Sequence, residues 1–316
     1  MNPVLANFTF EEALARLNKL GVQCIEIGAG GYPHDYHLKP EELLASPENV
    51  EAYKALLKKY NIEISAISCH GNPVHPQKEL AEKYHNEFKN AILAAEALGV
   101  DTVIGFSGCP GDSENSKWPN WVTCAWPRDY GYILKWQWEE VLIPYWKDMA
   151  EFAKAHGVTK IALEMHPGFC VYNPETLMRL REAVGDIIGA NFDPSHLFWQ
   201  GIDPVSAIKY MKGAIHHFHA KDTKIDERNC SVNGVLDTKP LGNVFVRSWD
   251  FRTVGYGHGY DVWNDIFSML QMTGYNGAIS IEHEDALMST DEGLEKAVEF
   301  LKKTIIFEQP ADAWWT

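Results

Sequence analysis

The stretch HGVTKIALEMHPG, residues 156–168, carries the pattern that decides the fold. A glycine that follows a helical segment precedes the short apolar run KIAL, and the run ends at an acidic residue, Glu164. The run is too short for a helix, and its residues suit a strand that is buried on both faces, as parallel sheets require. A helical pattern resumes after Asn173. This combination predicts one strand–helix unit of a parallel α/β protein.

Similar units recur along the whole chain. We count eight apolar runs, and each is followed by a segment with helical periodicity. The runs are Val4–Ala6, which is the weakest, Val22–Ile27, Glu63–Ser68, Thr102–Phe106, Lys160–Leu163, Ile188–Phe192, Ala214–Phe218 and Gly277–Ile281. Eight consecutive strand–helix units predict a closed (β/α)8 TIM barrel.

Helix-start signals agree with this periodicity. Thr9 and Glu12 have the spacing of a capping box. Pro47 and Pro174 each stand at a first helical position, where the missing N–H of proline costs nothing. Thr290 opens the last long helix. The sequence therefore predicts helices between the strands and gives their starts.

The chain is longer than a bare barrel needs. It has 316 residues, whereas a (β/α)8 barrel takes about 250. The extra length falls in two long loops, residues 107–137 after the fourth predicted strand and residues 220–260 after the seventh. The first is rich in tryptophan, which either packs on the barrel or forms a lid. We expect a single domain over residues 1–316, with Trp314 and Trp315 as a docking end.

Charge and cysteine usage limit the classes of partner. Lys and Arg number 28 and Asp and Glu number 43, so the net charge is −15. Such a chain repels phosphate backbones and anionic lipids, and we expect neither nucleic acid nor a membrane as partner. The start, MNPVLANFTFEEAL, lacks the features of a signal peptide. The six cysteines form no C-x-x-C pair, which favours a reduced compartment, the cytoplasm.

Four residues of related chemistry stand at the ends of successive predicted strands. Glu164 follows KIAL, Asp193 follows IGANF, His219 follows AIHHF, and Glu282 follows GAISI. In a barrel these ends converge on the axis, so three carboxylates and an imidazole are expected to meet. Like charges in a dry pocket must protonate or recruit a cation. The sequence therefore predicts a site for one divalent metal ion, with Mn²⁺ or Mg²⁺ favoured and Zn²⁺ or Co²⁺ as alternatives.

Further polar residues fall at the same face of the predicted barrel. Such groups can hold several hydroxyls of a sugar in a fixed orientation. Each histidine can instead be a satisfied structural residue, and Arg252 can be a surface ion pair or an anion contact. The residues that we predict to contact a substrate are His196, His70, Glu26, Lys221 and Arg252.

Four motifs around these residues carry a family resemblance. They are LEMHP at residues 163–167, NFDPSH at 191–196, HFHAKD at 217–222 and GYNGAISIEHED at 274–285. With these motifs the chain resembles the xylose-isomerase-like barrel superfamily, specifically its sugar phosphate isomerase/epimerase group. The resemblance covers nearly the whole length. It implies that Glu164, Asp193, His219 and Glu282 bind Mn²⁺, that the two glutamates move a proton, and that His196 contacts substrate oxygens.

The leading functional hypothesis is a metal-dependent sugar isomerase or epimerase. The ion would chelate a carbonyl and an adjacent hydroxyl and stabilise the enediolate that forms when the neighbouring proton leaves. Glu164 and Glu282 would take and return that proton from opposite faces of the sugar. The segment after His219 lacks the Gly-Glu and the later Arg of ketose 3-epimerases. The resemblance therefore does not fix the substrate.

Two other enzyme classes use a related site. A lyase or deglycosidase that cleaves 3-oxo-glycosides, including C-glycosides, or an inosose-type dehydratase would expel a group after the same enolisation, with His166 as the base. Some relatives of that kind use a small partner subunit, and a homo-oligomer is the other assembly that we consider. An abasic-site endonuclease is a weaker hypothesis, because it needs a cationic face that a chain of −15 charge does not offer.

Overall fold

A computed structural model describes residues 1–308 and confirms the TIM barrel fold. Trp314 and Trp315 lie outside the described residues. Seven strands form one parallel sheet, in chain order, that curves into a nearly closed barrel. Its strands are β1 (Cys24–Gly31), β2 (Glu63–His70), β3 (Thr102–Phe106), β4 (Lys160–Glu164), β5 (Ile188–Phe192), β6 (Ile215–Ala220) and β9 (Ile279–Ile281). The two remaining strands, β7 (Asp222–Ile225) and β8 (Trp249–Arg252), pair with each other.

Helices connect the strands and cover the outside of the barrel. Thr9 and Glu12 form the expected capping box, and helices begin at Pro47, Pro174 and Thr290 as the sequence predicts. The α-helices are α1 (Phe10–Leu20), α2 (Pro40–Leu43), α3 (Pro47–Lys59), α4 (Lys78–Leu98), α5 (Asp129–Trp136), α6 (Ile143–Ala155), α7 (Pro174–Val184), α8 (Pro194–Trp199), α9 (Pro204–Tyr210), α10 (Glu227–Asn233), α11 (Tyr260–Thr273) and α12 (Thr290–Thr304). Within residues 1–308, none of these is long and apolar enough to cross a membrane.

The predicted first strand, Val4–Ala6, is wrong. Residues Asn2–Leu5 form a 3-10 helix instead, and Pro3 favours it because proline fixes a helical φ and lacks an N–H for a sheet. The Asn2 Oδ1 atom accepts a hydrogen bond of 2.7 Å from the Gly28 amide of β1. The short helix also contacts α12, which follows the last strand. It thus fills the gap between β1 and β9, where the seven-stranded sheet is open.

The two predicted loops contain regular structure. Residues 107–128 are irregular, but α5 follows and runs through a short π-helix at Gln137–Leu142 into α6. After β6, the strands β7 and β8 form an antiparallel hairpin, and α10 lies in the connection between them. The sequence pattern did not predict this hairpin, because its strands DTKI and WDFR are short and lie far apart in the chain. Both segments follow the carboxyl ends of barrel strands.

The core is built in two layers, and the strand β4 illustrates both. Ile161 and Leu163 point outward and are fully buried in the large apolar cluster between the sheet and the helices. Ala162 points to the other face and forms a small inner cluster with Ala66 of β2 and Ile104 of β3. The next inward position of β4 is Glu164. The inner core is therefore apolar only over a short depth, and its carboxyl end is polar.

Candidate metal centre

The four residues predicted at strand ends lie together at the carboxyl end of the barrel. Glu164 is the last residue of β4, and Asp193 caps α8 directly after β5. His219 lies in β6, and Glu282 follows β9, where its amide donates to the Ala220 carbonyl. Their candidate ligand atoms all lie within 4.8 Å of one another. The topology thus brings residues that are far apart in sequence into one cluster.

The chemistry of this donor set fits a divalent cation. Three carboxylates and an imidazole are common ligands of such ions. The His219 Nδ1 atom lies 2.9 Å from Glu282 Oε2 and 3.4 Å from Glu164 Oε2. Asp193 Oδ2 and Glu282 Oε2 are buried and accept no hydrogen bond of good geometry from the described residues. Buried anionic oxygens without donors are costly unless a cation compensates them.

The two glutamates of this cluster are held in the ionised form. Burial opposes the charge of Glu164, but hydrogen bonds from His196, His219 and His70 outweigh burial and keep its pKa well below the ordinary value. Burial also opposes the charge of Glu282, but Lys221 and His219 lower its pKa to about 2. At neutral pH both glutamates therefore present anionic oxygens, which is the form that binds a metal ion.

Lys221 is a buried counter-charge beside the cluster. Its Nζ atom lies 3.2 Å from Asp193 Oδ2, 3.2 Å from Glu282 Oε1 and 3.0 Å from Glu284 Oε2. Burial disfavours the ammonium form, but these carboxylates outweigh burial and raise the pKa of Lys221 well above its ordinary value. The lysine is therefore charged, and its charge is already shared by three carboxylates.

Glu26 orients His219 from behind. Its Oε2 atom lies 2.8 Å from His219 Nε2 and accepts a hydrogen bond of 2.7 Å from Ser280. Because an ionised carboxylate can only accept, Nε2 carries a proton, and Nδ1 is the nitrogen that faces the other three residues. Glu26 does not line the cavity described below. The sequence placed it among the substrate contacts, whereas in the structure it contacts and orients His219.

Asn191 is an important residue that the sequence reasoning missed. Its Nδ2 atom donates to Glu164 Oε2 at 3.2 Å and lies 3.1 Å from His219 Nδ1. Its Oδ1 atom lies 3.0 Å from His217 Nδ1. The signal was present, because Asn191 stands two positions before Asp193 and so shares its inward face. One amide thus connects two of the four clustered residues.

Three further histidines surround the cluster. The His196 Nε2 atom lies 3.2 Å from Glu164 Oε1 and 3.4 Å from Asp193 Oδ2, and His70 Nε2 lies 3.1 Å from Glu164 Oε2. The His166 Nδ1 atom lies 2.6 Å from the Pro167 carbonyl. Burial and the nearby His196 lower the pKa of His166 to about 3, so its imidazole is neutral at pH 7. Because His70 and His196 both contact Glu164, they are placed to fix the orientation of its carboxylate.

A cavity of about 220 Å³ borders the cluster at Glu164 and Glu282. This volume is below the roughly 300–1,000 Å³ of clefts for drug-sized ligands, so the cavity fits a small molecule. The predicted site residues that line it are His70, Glu164, His166, Lys221 and Glu282. Arg252 does not line it, because its guanidinium pairs with Asp285 at 3.1 Å. His196 lies beneath the surface, in contact with Glu164 and Asp193.

Comparison with known proteins identifies the family. The family model described as xylose isomerase-like TIM barrel matches residues 14–304. Among curated proteins, the chain is 42% identical to the uncharacterized protein YfiH of Bacillus subtilis over 303 residues, which cover 95% of this chain and 96% of YfiH. That relative supplies no activity, but it shares nearly the full length.

Solved structures share the fold at low identity. The crystal structure of the IolI protein with a binding zinc atom matches with a TM-score of 0.63 and 21% identity, over 96% of this chain and 93% of that chain. The structure of D-psicose 3-epimerase in the presence of D-fructose matches with a TM-score of 0.58 and 14% identity, over 95% of each chain. The barrel, the clustered residues and the family match agree: this chain belongs to the xylose isomerase-like TIM barrel family.

Proposed function

We propose that the protein is a metal-dependent sugar isomerase or epimerase, which moves a proton on a carbon next to a carbonyl. The observation that carries the proposal is the cluster of Glu164, Asp193, His219 and Glu282, of which Glu164 and Glu282 line a small cavity. A fold neighbour that is an epimerase and another that binds zinc support the class. A sugar-sized molecule in this cavity would lie directly against the two glutamates.

We propose that the four clustered residues hold one divalent ion, with Mn²⁺ as the first choice and Mg²⁺, Zn²⁺ or Co²⁺ as alternatives. A bound ion would polarise the substrate carbonyl and so acidify the neighbouring C–H bond. Asp193 is anchored for this role, since its Oδ1 accepts a hydrogen bond of 2.8 Å from the Ser195 amide, which leaves Oδ2 to the cluster. His219 is fixed by Glu26.

Glu164 and Glu282 are the proposed proton-moving residues. Both line the cavity, and both are ionised at neutral pH, which is the form of a carboxyl group that can take a proton. They come from β4 and from the end of β9, which are separated by β5 and β6 in the barrel. One glutamate would take the proton, and either the same residue or the other would return it. His166, which is neutral, would hydrogen-bond a substrate oxygen.

The direct test is exchange of substrate protons with solvent deuterium. The Mn²⁺-loaded protein is incubated in D₂O with a panel of ketoses, and incorporation at the carbons beside the carbonyl is followed by NMR. We expect exchange in the wild type and a loss of about 10²–10⁴-fold in Glu164→Gln and in Glu282→Gln. Glu139→Gln, at an exposed glutamate outside the site, should retain full exchange.

A 3-oxo-glycoside added to the same panel separates isomerisation from elimination. Exchange without loss of a group supports an isomerase or epimerase. Release of the leaving group from a 3-oxo-glycoside, without exchange in free ketoses, would instead assign the lyase reaction to this site. Full activity of both glutamine variants would contradict the roles proposed for Glu164 and Glu282.

A further inference from the structure

The cavity has two chemically different halves, and the barrel order places them on opposite sides. One half belongs to the N-terminal 3-10 helix and to the ends of β1 and β3, and it is mainly apolar. The other half belongs to the end of β4 and to the segments directly after β6 and β9, and it is strongly charged. The apolar half contains Pro3, Val4, Tyr32, Pro33 and Phe106, and the charged half contains Glu164, Lys221, Glu282 and Glu284.

Aromatic packing makes the apolar half rigid. The Phe106 ring stacks on Phe169 at a centroid distance of 4.3 Å. Its edges contact the rings of His70 at 4.6 Å and His166 at 4.8 Å. Tyr32, at the cavity mouth, lies 6.1 Å from Phe106. A fixed aromatic wall of this kind offers a flat apolar surface to a ligand that presents C–H groups on one face.

The charged half offers no free cation to an anionic substrate. Lys221 is the one Lys or Arg side chain that lines the cavity in residues 1–308, and three carboxylates lie within 3.2 Å of it. Residues 309–316 contain neither Lys nor Arg. Met1 also lines the cavity, but its buried nitrogen donates to Ser280 Oγ and to the Ile281 carbonyl. Arg252 is paired with Asp285.

A phosphate group would need more positive charge than this. It carries about −1.5 to −2 at pH 7 and is bound through charge-assisted hydrogen bonds from Arg or Lys. With a divalent ion in place, the ion and Lys221 would still face the four carboxylates of Glu164, Asp193, Glu282 and Glu284. The site would therefore carry no surplus positive charge, and an anionic group would be desolvated without compensation.

We propose that this cavity selects an uncharged, unphosphorylated polyol of monosaccharide size, with Tyr32 and Phe106 in contact with its C–H face. The inference rests on the proposed function, since it names the substrate class of the same site. Hydroxyl groups on the other face would hydrogen-bond Glu284, Lys221 and His166. The apolar half and the charged half of the cavity would thus contact two different faces of one small molecule.

The test measures binding rather than turnover. Four D-ketohexoses and their 6-phosphate esters are titrated calorimetrically into the Mn²⁺-loaded protein. We expect at least one free sugar to bind at least about tenfold more tightly than its ester. An ester that binds as tightly as its free sugar, or more tightly, would overturn the proposal. The proposal would also be overturned if every free sugar had a dissociation constant above about 10 mM, which corresponds to a binding free energy weaker than about −3 kcal/mol.

The wall is tested by paired tyrosine variants. Tyr32 and Tyr36 are both 52% exposed, but Tyr36 does not line the cavity. Tyr32→Ala should weaken binding of the free sugar about tenfold, whereas Tyr32→Phe and the matched control Tyr36→Ala should keep it. Equal binding of the free sugar by Tyr32→Ala and the wild type would contradict the proposed contact between Tyr32 and the ligand.

Failure of this inference and failure of the proposed function give different results. A free sugar that binds but exchanges no proton with D₂O supports the substrate class and contradicts the isomerase function. Exchange that occurs only in a phosphate ester supports the isomerase function and contradicts the substrate class. The two proposals can therefore fall separately.

Discussion

The two faces of β4 and β5 differ in what their residues do. On the outward face, Ile161, Leu163 and Ala190 are fully buried among apolar side chains from the covering helices. On the inward face, Glu164 and Asn191 stand at the carboxyl end and hydrogen-bond each other. Residues that are adjacent in the chain thus belong to two environments, because successive side chains of a strand point to opposite faces.

The difference separates stability from chemistry. Outward residues are apolar and close-packed, so they stabilise the barrel through burial. Inward residues at the carboxyl end are ionised or polar, so their burial opposes folding and is offset by hydrogen bonds and counter-charges. We expect substitutions on the two faces to affect different measurements, and four variants test this.

Glu164→Gln should have the largest effect, and the effect should be on activity. The variant removes the carboxylate that is proposed both to bind the metal ion and to accept the proton, while it keeps the shape of the side chain. Deuterium exchange into a ketose should fall by about 10²–10⁴-fold. The thermal midpoint should change little by comparison. A variant that unfolds instead would show that the inward face also maintains the barrel.

Leu163→Ala should have the opposite signature. Leu163 is fully buried in the outer cluster, so the truncation leaves a cavity between the sheet and the helices. The free energy of unfolding should fall by about 2–5 kcal/mol, measured by urea denaturation. At a temperature where the variant is folded, its exchange rate should stay near the wild-type rate. A large loss of activity in the folded variant would break the distinction between the faces.

Glu26→Gln should act on the metal through His219. The substitution weakens the acceptor that holds Nε2, so Nδ1 is oriented less firmly towards the cluster. We expect metal affinity to fall by about 10–100-fold, measured by competition with a chelator dye. Gln retains the side-chain size, so stability serves as the control. Unchanged affinity would show that other contacts, such as Asn191, orient His219.

His216 gives a smaller effect on the outward face of β6. Burial lowers its pKa from 6.5 to about 4, and its Nε2 atom lies 3.1 Å from the Asp186 carbonyl. Between pH 6.5 and 4 the unfolded chain binds a proton that the folded chain does not, so stability falls as the pH falls. His216→Gln should reduce the loss between pH 7 and 5 by about 2 kcal/mol. Equal losses in both proteins would contradict the lowered pKa.

Periodicity and end signals predicted most of the barrel. Seven of the predicted runs became strands of the parallel sheet, because each is short, largely apolar and followed by a segment with helical periodicity. The four clustered residues could be named because each ends or follows such a run, and strand ends converge at one face of a barrel. Their meeting is thus a consequence of topology, which the sequence pattern specifies.

The rest depended on contacts between distant segments. Pro3 turns the predicted first strand into a 3-10 helix, and its place in the gap depends on β1 and α12. The pairing of Arg252 with Asp285 depends on the β7–β8 hairpin, which no local pattern predicted. Glu26 contacts His219 because β1 and β6 both direct side chains into the barrel interior. These contacts depend on how distant segments pack together, which cannot be predicted from local patterns in one sequence.

The central claim is that Glu164, Asp193, His219 and Glu282 share one divalent ion. Crystals of the Mn²⁺-loaded protein, measured at the manganese absorption edge, test it most directly. We predict one anomalous peak at about 2.0–2.6 Å from an atom of each of the four side chains. The absence of a peak there, or a peak bound by other residues, would contradict the account.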